Sequence, residues 1–250
     1  MVLSQFSLLL LTMLDNNIKQ EPIRGLLGMG GGIALGKISG SATTSAVTPN
    51  HSVQFDGDGD YIESTTDSNV PVGTGDFTLE FWVRFASSDS YSSLDTVSET
   101  RSSTSASDGF LVGRFHTSGH ENQMEVYSAG NYTSVASGAL SNNTWYHIAV
   151  VRNSGTLRMY VNGQDTGTTY SDSNNYSNDD IRIGANVATT HYLDGNVADF
   201  RLTTSALYTS NFAPPTDQLD PVTGTSILCC QDATGAVLLQ QEITLLQLVT

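Results

Sequence analysis

Residues 77–85 read FTLEFWVRF, and these nine decide the fold class. Phe77, Leu79, Phe81, Val83 and Phe85 alternate with Thr78, Glu80, Trp82 and Arg84. That is the period of two which sends successive side chains to opposite faces of a sheet. One face of this strand is apolar throughout and belongs in a core. Trp82 falls on the other face, where it is either a platform for a sugar ring or is covered by a second layer of chain.

The same reading extends outward to GFLVGRFH (109–116), MEVY (124–127), WYHIAVVRN (145–153), LRMYVNG (157–163), IRIGAN (181–186) and VADFRL (197–202), most of them separated by clusters of Gly, Asn, Asp and Ser. Ser154-Gly155 joins two of these strands as a tight hairpin, since Gly supplies the positive φ such turns require. Asn162-Gly163 closes the second strand, and Asp194-Gly195 marks a third hairpin of the same kind. Trp145, opening a strand, is assigned to the core. Short strands with turns every eight to twelve residues make an all-β chain, a two-sheet antiparallel sandwich or jelly roll.

Composition agrees. Only 14% of the 250 residues are charged and there are 23 glycines, a profile of short strands and many polar turns. The net charge is -15, and residues 51–250 contain seven Arg and no Lys against 23 acidic residues. Such a surface repels phosphate backbones and anionic headgroups, which argues against nucleic-acid binding and membrane insertion and suits cations, neutral sugars or a basic partner. The adjacent Cys229 and Cys230 are read as free thiols on opposite faces of one strand, because a bridge between sequence neighbours is a strained ring.

The first 50 residues differ in kind. FSLLLLTML (6–14) is too short to span a bilayer. It also lacks the preceding positive charge and following small-residue cleavage site of a signal peptide. The Gly-rich stretch after it cannot hold a continuous helix. Residues 1–50 are therefore an irregular N-terminal arm, 51–232 the sandwich and 233–250 a strand-like tail. The arm's leucines pack either on a neighbouring subunit or larger assembly, or back on the parent domain.

No catalytic constellation stands out. His51, His116, His120, His147 and His191 sit in unrelated segments and there is no G-x-S-x-G elbow. His116 and His120 bracket a turn, where a spacing of four gives no shared face for a metal. The polar loops 87–93, 129–134 and 170–179 carry Tyr91, Tyr132, Tyr170 and Tyr176, whose rings offer stacking surfaces for sugars or a protein partner; the alternative is ordinary loop tyrosines.

Taken in order, FDGDGDYIE (55–63), GTGDFTLEFWVRF (73–85), NNTWYHIAVVRNSGTLRMYVNGQ (142–164), IRIGAN and HYLDGNVADFRLTTSALYTSNFAPPT (191–216) resemble the laminin-G-like, concanavalin-A-like jelly roll over about residues 51–230. The closing ALYTSNFAPPT resembles the laminin-G-like domains of fibres, appendages and capsid-surface proteins in marine and cyanobacterial tailed phages. The resemblance implies a non-enzymatic structural virion protein located on the particle. Residues 1–40 would dock it on other virion proteins or on itself as a homo-oligomer, and the displayed domain would meet cell-surface glycans or a protein. A secreted bacterial carbohydrate-binding or adhesion module is the alternative. Glycoside hydrolases on this fold place paired carboxylates across the sugar, and no E-x-D-x-E pattern occurs here.

The resemblance also bears on QFDGDGDYIE (54–63), where Asp56, Asp58 and Asp60 alternate as in a calcium loop. An EF-hand register puts Tyr61 where Gly is required, so that motif fails. Family context makes the stretch the first hairpin, strands 52–55 and 61–63, with Phe55 and Tyr61 directed toward the sandwich. Laminin-G-like domains often hold one calcium ion at the rim, which nominates Asp58, Asp60 and Asp194; the alternative is that each Asp caps a turn.

Overall fold

The computed structural model describes residues 48–64, 72–86, 93–128, 132–232 and 247–249. The expected arm therefore lies outside the described residues except for 48–50, as does most of the tail. The strands are β1 (Val53–Asp56), β2 (Tyr61–Glu63), β3 (Phe77–Phe85), β4 (Leu94–Glu99), β5 (Phe110–Phe115), β6 (Gln123–Ser128), β7 (Tyr132–Ala139), β8 (Trp145–Asn153), β9 (Thr156–Val161), β10 (Gln164–Ser171), β11 (Arg182–Ile183), β12 (Asp194–Thr203), β13 (Thr225–Cys229) and β14 (Gln247–Val249). They form two antiparallel sheets. The first has the order β1-β12-β3-β8-β9-β10, with β13 also on β12; the second runs β14-β2-β11-β4-β5-β6-β7.

The alternation in β3 does what its pattern dictates. Phe77, Leu79, Phe81, Val83 and Phe85 are all fully buried between the sheets. Phe81 stacks on Phe200 of β12 at 5.7 Å between ring centroids, and Phe77 on Phe110 of β5 at 5.2 Å. Each such ring contributes about 1.5–3 kcal/mol by leaving water. The β8–β9 hairpin turns at Ser154 (φ 50°) and Gly155 (φ 74°), and β9–β10 at Asn162 (φ 49°) and Gly163 (φ 72°). Two positive φ values in succession give the turn whose twist matches the flanking strands.

Several expectations are corrected. β1 and β2 are not a hairpin: β1 pairs with β12 in the first sheet, while β2 pairs with β11 and β14 in the second. The DGDG turn, with Gly57 at φ 84° and Gly59 at φ 88°, carries the chain across the sandwich. Phe55 enters the core, but Tyr61 faces outward, its ring 5.2 Å beneath the Arg182 guanidinium. Asp194-Gly195 is no turn either. It opens β12, and Gly195 lies between Phe55 and Phe85, where a Cβ would overlap the Arg84 carbonyl oxygen. Close approach of three strands, rather than a positive φ, requires glycine there.

Trp145 is half-buried and shares the outward parity of His147 and Ala149, while its neighbour Tyr146 packs on the core. Cys229 and Cys230 are free and buried as expected, yet they do not point to opposite faces. Cys230 has φ 59°, which turns both side chains into the same core cluster with sulfurs 3.7 Å apart.

Candidate ligand-binding cleft

Part of the outward face of the first sheet is covered by chain. The segment 204–222, between β12 and β13, crosses it as a strap. Tyr208 and Phe212 stack at 3.6 Å and cover Ala149, Val151 and Tyr160 of β8 and β9. The strap is held by its backbone: the Leu207 N–H donates to Thr78 Oγ1 at 2.9 Å and the Phe212 N–H to the Gly163 carbonyl at 2.9 Å.

Beneath it lies a charged group that β3 alone could not keep. Glu80 is fully buried; its Oε1 accepts from Arg201 Nε at 3.0 Å and Nη2 at 2.5 Å, and its Oε2 from the Tyr208 hydroxyl at 2.8 Å. His147 Nε2 stands 3.3 Å from the same Oε2, within ion-pair reach but without hydrogen-bond alignment. Burial by itself pushes the Glu80 carboxyl up, but His147 and Arg201 together outweigh it and hold the group below its ordinary 4.5. Burial, followed by the Glu80 charge, pushes the Tyr208 hydroxyl well up.

Where the strap leaves the sheet, a cleft of about 170 Å³ opens. Trp82, 4% exposed, forms its floor, edge-on to His147 at 5.3 Å. Asn50 and His51, just ahead of β1, make one wall; Pro215, Asp217 and Gln218 of the strap make the other. Between them Asp199 and Gln231 close the end. Asp199 sits at a bulge in β12, at φ 50°, where the register against β3 slips between Ala198 and Arg201. A non-Gly residue in the left-handed region persists only where its surroundings fix it. Here its Oδ1 accepts from the Leu219 N–H at 3.1 Å and from Gln231 Nε2 at 3.0 Å. The lining thus combines an aromatic floor, two carboxylates and three side-chain amides.

Of the residues nominated from sequence, Trp82 lines the cleft. Tyr176 does not act as a loop contact: it is buried in the core, its hydroxyl donating to Asp172 Oδ2 at 2.9 Å. Tyr170 belongs to β10 and packs half-buried against the core. Tyr132 opens β7, and its side chain and the whole of Tyr91 lie outside the described residues.

At the rim, Asp56 pairs across to Asp194, and a Cβ on Gly57 would stand 3.2 Å from that of Asp194. Asp56 Oδ1 accepts from the Asp58 N–H at 2.9 Å, the turn-capping role. Asp58 is exposed and Asp60 half-buried. Among the described residues no three His, Cys, Asp or Glu side chains converge as a metal set, so calcium at Asp58, Asp60 and Asp194 would need backbone carbonyls and water for most of its shell.

Sequence reasoning missed Asp199, His51, Gln218 and Gln231. One signal was available for the first: the inward residues Val197, Phe200 and Leu202 are spaced three and then two apart, a slip that only a bulge accommodates.

Residues 56–211 match the family model Laminin_G_3, described as the concanavalin A-like lectin/glucanases superfamily. The chain belongs to this superfamily. No curated protein matches its sequence. Among solved structures, this member of the superfamily is similar to a candidate carbohydrate binding protein from Bacteroides ovatus ATCC 8483, at 19% identity and TM-score 0.53, over 71% of this chain and 51% of that one. The chain thus spans about half the length of that protein. It is also similar to the CBM40 of Ruminococcus gnavus IT-sialidase bound to α2,3 sialyllactose, at 11% identity and TM-score 0.49, over 66% of this chain and 95% of that one. Domains LG4-5 of the mouse laminin α1 chain are similar at 14% identity and TM-score 0.46, over 68% and 48%. At these identities the likeness is one of fold.

Proposed function

We propose that the chain is a non-catalytic glycan-binding module carried on the particle of a tailed phage and docked there through residues 1–40. The observation that carries the binding role is the cleft over Trp82, where a lectin-superfamily sandwich, a bulged β12 and the strap together frame an aromatic floor with amide and carboxylate walls. Such a lining suits a hydroxyl-rich ring, which needs both donors and acceptors. The non-catalytic reading is supported by Glu80, the carboxylate nearest the floor on β3, which is sealed beneath Tyr208 and committed to Arg201. The particle setting rests on the resemblance of residues 206–216 to phage appendage domains; a secreted bacterial adhesion module would use the same cleft.

A glycan array with the full-length protein tests the binding role. Retention of a defined sugar, lost in Asp199→Ala with the fold intact by circular dichroism, is the expected result. Absence of binding to every sugar at millimolar concentration would leave a purely structural role, and release of reducing ends would establish hydrolysis. Particles assembled with a chain lacking residues 1–40 are expected to be devoid of it; co-purification of the truncated chain with particles would show that the arm is not the anchor.

A further inference from the structure

We infer that the cleft takes the single terminal residue of an uncharged glycan and rejects acidic sugars, an inference that rests on the glycan-binding reading above. Two independent observations lead there. The first is size. About 170 Å³ falls below the ~300–1,000 Å³ of pockets that engulf drug-sized ligands. One sugar ring fills it. Residues 48–51 and 215–218 both line it, and a volume that one ring fills leaves the rest of a longer glycan outside.

The second observation is charge. Asp199 and Asp217 line the cleft, and among the described residues no Arg or Lys does. Among the described residues none can be recruited, because each of the seven arginines there is already engaged. Arg84 donates to Asn143 and Asn196. Arg101, Arg114 and Arg152 hold Glu99, Asp95 and Asp172. Arg158, Arg182 and Arg201 hold Asp165, Glu63 and Glu80. Acidic sugars are recognised through a guanidinium or ammonium placed on their carboxylate or sulfate, and this cleft offers two like charges instead. Neutral hydroxyls meet no such penalty: Asn50 and the remaining N–H of Gln218 supply donors, and the amide oxygens of Gln218 and Gln231 with the two carboxylates supply acceptors.

The test uses the full-length protein and matched ligands, lactose-terminated and α2,3-sialyllactose-terminated, beside a panel of neutral oligosaccharides of increasing length. Neutral termini are expected to bind at least tenfold tighter than their acidic counterparts. The gap should narrow several-fold in 0.5 M NaCl, because the Debye length shrinks from the roughly 8 Å of physiological salt. Affinity for one neutral terminus should stay within about threefold as the chain behind it lengthens. Asp217 is exposed on the strap, so Asp217→Lys folds normally and should bring the acidic ligand to within threefold of the neutral one. Equal or tighter binding of the acidic ligand by the unaltered protein, or affinity that climbs with every added residue, overturns the inference and leaves the glycan-binding role standing. Failure to bind any sugar overturns that role, and the inference with it.

Discussion

Arg152 shows how much a single side chain can hold. It is fully buried at the end of β8, donates to the carbonyls of Gly73 at 2.6 Å, Gly75 at 2.7 Å and Asn174 at 3.0 Å, and pairs with Asp172 at 3.3 Å. The rings of Phe77 and Tyr176 flank its guanidinium at 5.0 and 4.9 Å. Arg152→Met would strand the Asp172 carboxylate and leave two loops without a common anchor. The expected cost is about 3–5 kcal/mol, the usual penalty for uncompensating a buried charge, read as a lowered urea midpoint. Tyr176 looked like a loop tyrosine in YSDSNNYSND because nothing in that polar string reveals that Arg152, some twenty residues earlier in sequence, waits to receive it. Glu80 gives a pH signature. Its folded carboxyl lies below 4.5, so the stability it adds is complete above the unfolded value and is lost as the pH falls through the folded one. Burial raises Glu99 and acts in the opposite sense. The Glu80 part is therefore isolated by comparing Tm between pH 7 and pH 3 in the unaltered chain and in Glu80→Gln, which should lose less on acidification.

At the scale of elements, the β8–β9 hairpin was legible because its instructions are local: alternation, then two residues able to take positive φ, then alternation again. The β1–β2 pair was not, because the partner that captures β1 is β12, about 140 residues later. A turn sequence states that the chain changes direction without stating which sheet receives it. The same holds for the cleft. Trp82 was visible on the outward face of β3, whereas the strap that both hides its ring and builds a wall beside it carries no periodic pattern. Gly163 is the strap's seat. At φ 72° with its bare Cα against the Phe212 carbonyl, it leaves no room for a side chain. Gly163→Ala should lower stability by more than 1 kcal/mol and speed amide exchange along 204–222 more than in β3 or β8. Uniform exchange across all three would show that the strap is not fastened there.

For the whole molecule, the surplus of acidic residues is expressed at the surface, since the arginines are drawn into pairs with side chains of the two sheets and their loops. This leaves a negative exterior around the described sandwich. Because no three metal-ligating side chains converge among the described residues, EDTA is expected to leave Tm within about 1 °C. A rise of several degrees on calcium titration would instead place an ion at the Asp194 rim.

The DGDG crossover has a mechanical consequence. Residues 48–51 form one wall of the cleft and run straight into β1, an edge strand of four residues whose ladder partner is β12. Tension applied from the N-terminal side reaches that wall before it reaches any other strand, and it peels β1 from β12 while β2, across the turn, stays clamped in the other sheet. If the cleft holds a sugar as proposed, that sugar would then be released under pull sooner than at rest, so a module anchored through residues 1–40 would let go where the load is greatest and rebind where it is slack.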